Sequence, residues 1–233
     1  LALARHLSAQ ARWCWAEEGW EQELQLQAVR HPLLADAQAL DLSLDATSAF
    51  ISGQNGIGKS TLLRTVGLNL LAARAFGFCY AESARVPNLP VYASMQNDDA
   101  LEGGESLYQS ELRRAQELLA LAKGPQRAVF IIDEIFRGTN HLESVSAAAA
   151  VLEQLAGHGI VLVSSHNVVL AQLLDQCCTP LLVQKRNDRL VLTPGVLADT
   201  NGLALLAQSG FDPAIEQRAR DVYKRLSGRI LPA

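Results

Sequence analysis

The sequence predicts an α/β fold: a largely parallel central sheet flanked by helices, with an antiparallel hairpin at one edge and helices at the C-terminus. Three observations carry this. "AVFIID" (128–133) and "IVLVSS" (160–165) are continuous apolar runs too short for ordinary helices, as strands buried on both faces are. Helix-period segments lie between the apolar runs, the alternation that builds parallel sheets by crossover. Late in the chain, "TPLLVQKRNDRLVLTPG" reads as two strands around a polar turn at Arg186 to Asp188.

The elements follow in order. The first 20 residues read as a helix, with Leu3, Leu7, Ala11 and Cys14 on one face. Trp13, Trp15 and Trp20 give that end an apolar character that calls for a packing partner. Residues 1–21 are therefore expected to be a helical remnant of a preceding region, and 22–233 the main domain. "HPLLADAQALDLSLDATSAFISG" alternates apolar and polar residues and predicts short strands. Residues 59 to about 75 predict a helix with Leu62, Leu63, Val66 and Leu70 on its apolar face. "RVPNLPVYASM" is punctuated by prolines and ends in a strand. Residues 106–123 predict a long helix stopped at Gly124-Pro125. "HLESVSAAAAVLEQLAGHG" is a helix ending in glycines, "NVVLAQLLDQ" another, and the tail from Asn201 two short helices joined at Gly210 to Pro213.

Composition bounds the function. The net charge of −4 over 233 residues argues against a chain that grips DNA alone through a broad basic face. Arg218, Arg220, Lys224, Arg225 and Arg229 are spaced as a solvated helix face. Cys14, Cys79, Cys177 and Cys178 form no CxxC pair, so they read as reduced thiols of a cytoplasmic protein rather than a zinc site. No run approaches a membrane span, and the N-terminus lacks the pattern of a signal peptide. The chain begins with Leu, so further modules outside it are expected.

The densest signal is Gly53-Gln54-Asn55-Gly56-Ile57-Gly58-Lys59-Ser60, which fits G-x-x-x-x-G-K-S/T between an apolar strand and an amphipathic helix. Glycines let the backbone curl so that its N–H groups face phosphate oxygens. The helix that follows directs its positive end at the same place. Lys59 would meet the β- and γ-phosphates, and Ser60 would ligate Mg2+, with Thr61 in support. A P-loop NTPase binding ATP is the expectation.

"VFIIDE" delivers Asp133 and Glu134 at a strand end, where parallel sheets place their chemistry. Asp133 suits the magnesium shell. Glu134 suits orienting a water for attack on the γ-phosphate. His166, after the next buried strand, is a candidate γ-phosphate contact. Gly103-Gly104 and Ser106 precede a helix and make either a second anion-binding element or a plain N-cap.

"ISGQNGIGKSTLLRTVG", "LEGGESLYQSEL", "IIDEIFRGTN" and "SSH", in this order, resemble the ATPase domain of the MutS family of DNA mismatch-repair proteins, within the ABC-type ATPases. The resemblance runs over residues 28–226, from "RHP" at Arg30 to Pro32 through "DTNGLALLAQSGFDPAIEQRARDVY". A transporter-type ATPase would show a proline after the acidic pair and an LSGGQ-like signature. This chain has Ile135 and "LEGGES". It departs from the family at Gln54, Gly56-Ile57 and Phe136, and the mismatch-reading, connector, lever and clamp regions do not match anything in it. The resemblance implies a head-to-tail homodimer with composite ATP sites. Ser106, with Gly103-Gly104, would complete the partner's site, and Asn140 and His141 would lie in the interface loop. His31 and Leu33 are candidates for the adenine. Any DNA contact would need regions outside this chain. The alternatives are a nucleotide-gated dimerisation module with little hydrolysis, another ABC-type ATPase, or a small-molecule kinase.

Overall fold

The computed structural model describes residues 12–19, 23–45, 47–95, 106–187, 189–197 and 202–230. Side chains of 204, 205 and 226–230 are not included. The chain divides into two compact units, Leu1–Val196 and Leu197–Ala233.

The first unit contains the predicted sheet. Its strands are β5 (Ser48–Gly53), β8 (Val91–Ser94), β9 (Ala128–Asp133), β10 (Gly159–Ser164), β11 (Cys178–Arg186) and β12 (Arg189–Pro194). They lie in the order β12-β11-β5-β10-β9-β8. All neighbours are parallel except β11 and β12, the expected antiparallel hairpin at the edge. Its turn uses Asn187 at φ 49°, a left-handed position that asparagine tolerates.

The period of two decides which residues face which layer. Ala49, Ile51, Val129, Ile131, Ile160 and Leu162 point to one side, where α1 (Lys59–Phe76) packs with Leu62, Leu63, Val66 and Leu70. Phe50, Phe130, Ile132, Val161 and Val163 point to the other. There they meet α2 (Leu107–Ala122), α3 (His141–Ala156) and α4 (Val169–Leu173) through Leu118, Leu152, Leu155 and Leu170. Both faces are covered, which is why β9 and β10 read as unbroken apolar runs. At the start of β10, a Cβ on Gly159 would stand 1.9 Å from the Ala128 carbonyl oxygen. Only glycine fits there.

A second sheet was not predicted. β2 (Glu17–Glu18), β3 (Glu23–Val29), β4 (Leu40–Asp45) and β7 (Ser83–Val86) pair in the order β2-β7-β3-β4. β3 alternates buried Leu24 and Leu26 with exposed Gln25 and Gln27. The expected N-terminal helix is corrected over its described part. Residues 1–11 and Trp20 lie outside the described residues. β1 (Cys14–Trp15) pairs antiparallel with β6 (Phe78–Cys79), and β2 pairs with β7. Trp13 packs edge-on against Trp15 and Phe78, at centroid distances of 5.2 and 6.1 Å. Edge pairing and aromatic packing override the helical spacing of this segment.

The second unit contains α5 (Gly202–Gln208) and α6 (Pro213–Ile230). The tail thus has one short helix and one of 18 residues, not two short ones. Arg218, Arg220, Lys224 and Arg225 are exposed on α6, as expected of a solvated face. No helix among the described residues is long and apolar enough to cross a membrane.

Candidate functional site

The site is built where β5, β10 and β9 end side by side. Ser164 on β10 is in register with Ile51 on β5 and Asp133 on β9. The segments leaving these three strands therefore emerge at one rim of the sheet.

β5 feeds the glycine-rich loop. A Cβ on Gly53 would be 3.0 Å from both the Val183 carbonyl oxygen and a methyl of Ile57, so the turn closes only around glycine. Gly56 and Gly58 have φ of 74° and 109°, which side-chain-bearing residues avoid. α1 then begins at Lys59 with no carboxylate in its first turn and no side-chain cap on its leading N–H groups. A helix start left this way favours an anion. Lys59 is buried, and its Nζ donates to the carbonyls of Gly53 (2.9 Å) and Gln54 (3.4 Å). Gln54, Asn55 and Gly56 are exposed, while Ile57, Ser60 and Thr61 are half-buried, as is Gly58.

β9 delivers the acidic pair. Asp133 is 4 % exposed. Its Oδ1 accepts a 2.5 Å hydrogen bond from Ser164 Oγ, and its Oδ2 is buried without a protein partner. An orphaned carboxylate oxygen in such a place suits a cation or a cation-bound water. With the hydroxyl of Ser60 at the start of α1, the donor set consists of hard oxygens and fits magnesium.

Glu134 has φ 62° and Phe136 φ 53°. Left-handed residues other than glycine cost about 1–3 kcal/mol each and persist only where the surroundings hold them. Here they are held in several places. The Glu134 amide donates to Ser164 O (3.1 Å). Phe136 is buried against Tyr108, and its carbonyl accepts from Ser144 Oγ. Glu111 on α2 accepts from the amides of Arg137 and Gly138, both at 3.0 Å. A Cβ on Gly138 would lie 2.5 Å from the Tyr108 nitrogen, so the loop presses on the first turn of α2.

The result is a directed carboxylate. Glu134 Oε2 meets His166 Nδ1 at 2.9 Å and accepts from Ser165 Oγ at 3.3 Å. The bond to Glu134 raises the His166 pKa above the ordinary imidazole value; burial, Lys59 and Arg137 act against it. A cavity of about 420 Å³ opens beside Asp133 and Glu134, between the end of β8, α2 and residues 132–137; His166 does not line it.

The predicted residues thus divide. The loop from Gly53 to Thr61, Asp133, Glu134 and His166 come together at one rim. Ser106 stands apart, as N-cap of α2 in a reciprocal capping box with Gln109 (3.3 and 3.2 Å). Gly103 and Gly104 lie outside the described residues. Asn140 caps α3, and His141 is exposed at its start. His31 and Leu33 line a separate cavity of about 430 Å³ with Arg30 and Tyr80. Further along the same connection, Gln38 Oε1 accepts from the amide of Leu190, whose methyl lies 3.6 Å from the Cβ position of Gly58. Sequence reasoning missed Ser164 and Ser165 as partners of the acidic pair. Hydroxyls directly before His166 were the available signal. It also missed Glu111, one of two acids on an amphipathic helix.

Comparison with known proteins places the chain in a family. A family model for MutS domain V matches residues 49–227. The DNA mismatch repair protein MutS of Thermus aquaticus is 29% identical over 217 residues, which cover 88% of this chain and 26% of that protein. The protein of the same name from Thermus caldophilus is 27% identical over 219 residues, covering 89% of this chain and 27% of the relative. The chain spans about a quarter of the length of the curated relatives it matches.

Proposed function

Because the chain belongs to the MutS domain V family, we propose that it is a magnesium-dependent ATPase of the P-loop, ABC-type class, whose nucleotide state controls closure of a head-to-tail homodimer in DNA repair. The observation that carries this reading is the convergence at one rim of a glycine-rich loop, a buried carboxylate with an orphaned oxygen, and a second carboxylate held by a histidine. The names of the relatives supply the repair context. DNA itself would be met through regions outside this chain.

The loop amides and Lys59 would bind the β- and γ-phosphates. Magnesium, held by Ser60 and Asp133, would neutralise charge on the phosphate oxygens. Glu134 Oε2 is taken by His166 and Ser165, which leaves Oε1 to orient a water. The water oxygen bonds to the γ-phosphorus, the bond to the β–γ bridging oxygen breaks, and the water proton passes to Glu134. His166 fixes the carboxylate and faces the same phosphate. Ser106 of each chain would complete the partner's site, giving two equivalent sites per symmetric pair.

Phosphate release without any added acceptor tests this, comparing wild type with Lys59→Ala and Glu134→Ala. The expected outcome is loss of turnover in both by roughly 100-fold or more. Equal background rates in all three would leave a nucleotide-gated dimerisation module.

A further inference from the structure

α2 touches the loop that carries Glu134 at two points one helical turn apart. Tyr108 lies under Gly138 so closely that a single added methyl would collide with its backbone. One turn on, Glu111 divides its two carboxylate oxygens between two successive amides, Oε1 to Arg137 and Oε2 to Gly138, each at 3.0 Å. The Arg137 side chain adds a longer contact, Nε to Oε1 at 3.9 Å. The Glu111 side chain is only 15 % exposed, while the Arg137 and Gly138 it holds lie at the surface. The segment it grips runs through two left-handed residues, Glu134 and Phe136, which relax unless something outside the segment holds them. The same helix begins at Ser106.

We infer that Glu111 is a positioning residue for Glu134: by accepting both the Arg137 and Gly138 amides it fixes the left-handed segment that presents the Glu134 carboxylate, and it ties that segment to the helix that starts at Ser106. The inference rests on the ATPase reading above for its chemical consequence, but the clamp is testable without nucleotide. Movement at the Ser106 end of α2 reaches the Glu134 loop through a rigid helix and two backbone hydrogen bonds. A chain docked at Ser106 would thereby set the geometry of hydrolysis in the chain whose α2 it touches.

The test uses Glu111→Gln and Glu111→Ala. Glutamine has nearly the same shape, but it offers one acceptor and turns a donor toward the second amide. In nucleotide-free protein, residue-resolved amide exchange should rise about tenfold or more at Glu134, Arg137 and Gly138, with the β9 and β10 amides unchanged. In the turnover assay, kcat should fall about tenfold or more in both variants while the nucleotide Kd stays within about threefold. Combined with Glu134→Gln, the Glu111 substitutions should cost no further rate, because the group they position is already gone. Unchanged exchange at Glu134, wild-type turnover in Glu111→Ala, or a full additional loss in the double variant would each overturn the inference. Loss of nucleotide binding in parallel with kcat would do so too, by marking a general structural role. If wild type itself shows no Lys59-dependent turnover, the ATPase reading falls, and the exchange measurement still decides what Glu111 holds.

Discussion

Ser164 Oγ donates to Asp133 Oδ1 at 2.5 Å, and this one bond satisfies half of a buried carboxylate whose other oxygen has no protein partner. A charge so placed is a liability to the empty fold and an asset to a bound cation.

Asp133→Asn should therefore separate stability from ligand response. Without magnesium and nucleotide, its unfolding free energy should match or exceed that of wild type. Addition of MgATP at about 100 times Kd should stabilise wild type by about 2.7 kcal/mol and the variant by far less. Chemical denaturation with and without MgATP measures both quantities. A variant that is stabilised as strongly as wild type would remove Asp133 from the magnesium site.

The His166–Glu134 pair predicts a pH dependence of defined sign. The hydrogen bond to Glu134 holds the imidazole pKa above its ordinary value when folded. A group that binds its proton more tightly in the folded state stabilises fully below its unfolded pKa, and that contribution is lost as pH rises through the folded pKa. The stability difference between wild type and His166→Asn should thus be largest below the ordinary imidazole value and shrink as pH rises through the raised folded value. Denaturation at a series of pH values reads it directly. A difference that widens with pH would contradict the pairing.

Gly159→Ala should destabilise strongly, because the new methyl would fall 1.9 Å from the Ala128 carbonyl oxygen in the middle of the sheet. Overpacking against backbone that cannot yield costs about 1–3 kcal/mol or more. Gly210→Ala tests the other kind of glycine. Nothing lies within 4 Å of its Cβ position, and only its φ of 78° is strained, so the penalty should be near 1 kcal/mol, roughly that of one left-handed residue. Thermal melts of the two variants should fall in that order.

The thiols should differ in reactivity. Burial pushes Cys79 up to about 12 and raises Cys178 as well, and the thiolate is the reactive form. At mildly alkaline pH, a disulfide reagent should label Cys14 and Cys177 first, and Cys79 and Cys178 only on unfolding. Mass spectrometry of partially labelled protein gives the order.

The residues most legible in the sequence are those whose type is dictated by local chemistry. Gly56 and Gly58 must be glycines to hold positive φ, Lys59 must carry charge, and β9 must be apolar until Asp133; such requirements leave marks at fixed spacing. The second sheet was less legible, because its strands are short and their partners distant in sequence. β3 has a clear alternation at Leu24 and Leu26, yet β1 and β2 have only two residues each, and their pairing with β6 and β7 is decided by tertiary contact. The supporting side chains were the least legible. Ser164 and Glu111 act through partners 31 and 26 residues away; for Ser164 the only local mark is its place two residues before His166, and nothing next to Glu111 distinguishes it from an ordinary helix acid.

The strand order has a kinetic consequence. β10 lies between β5 and β9, and β11 closes on the far side of β5, so the strand that leads into the glycine-rich loop gains its two sheet neighbours only from segments more than 100 residues downstream. Loop closure over such distances slows folding. During synthesis, residues 48–61 leave the ribosome long before β10 and β11 exist to pair with β5. The loop is written early and assembled late, so a nascent chain ending before residue 164 has the phosphate-binding residues but not the sheet that aims them.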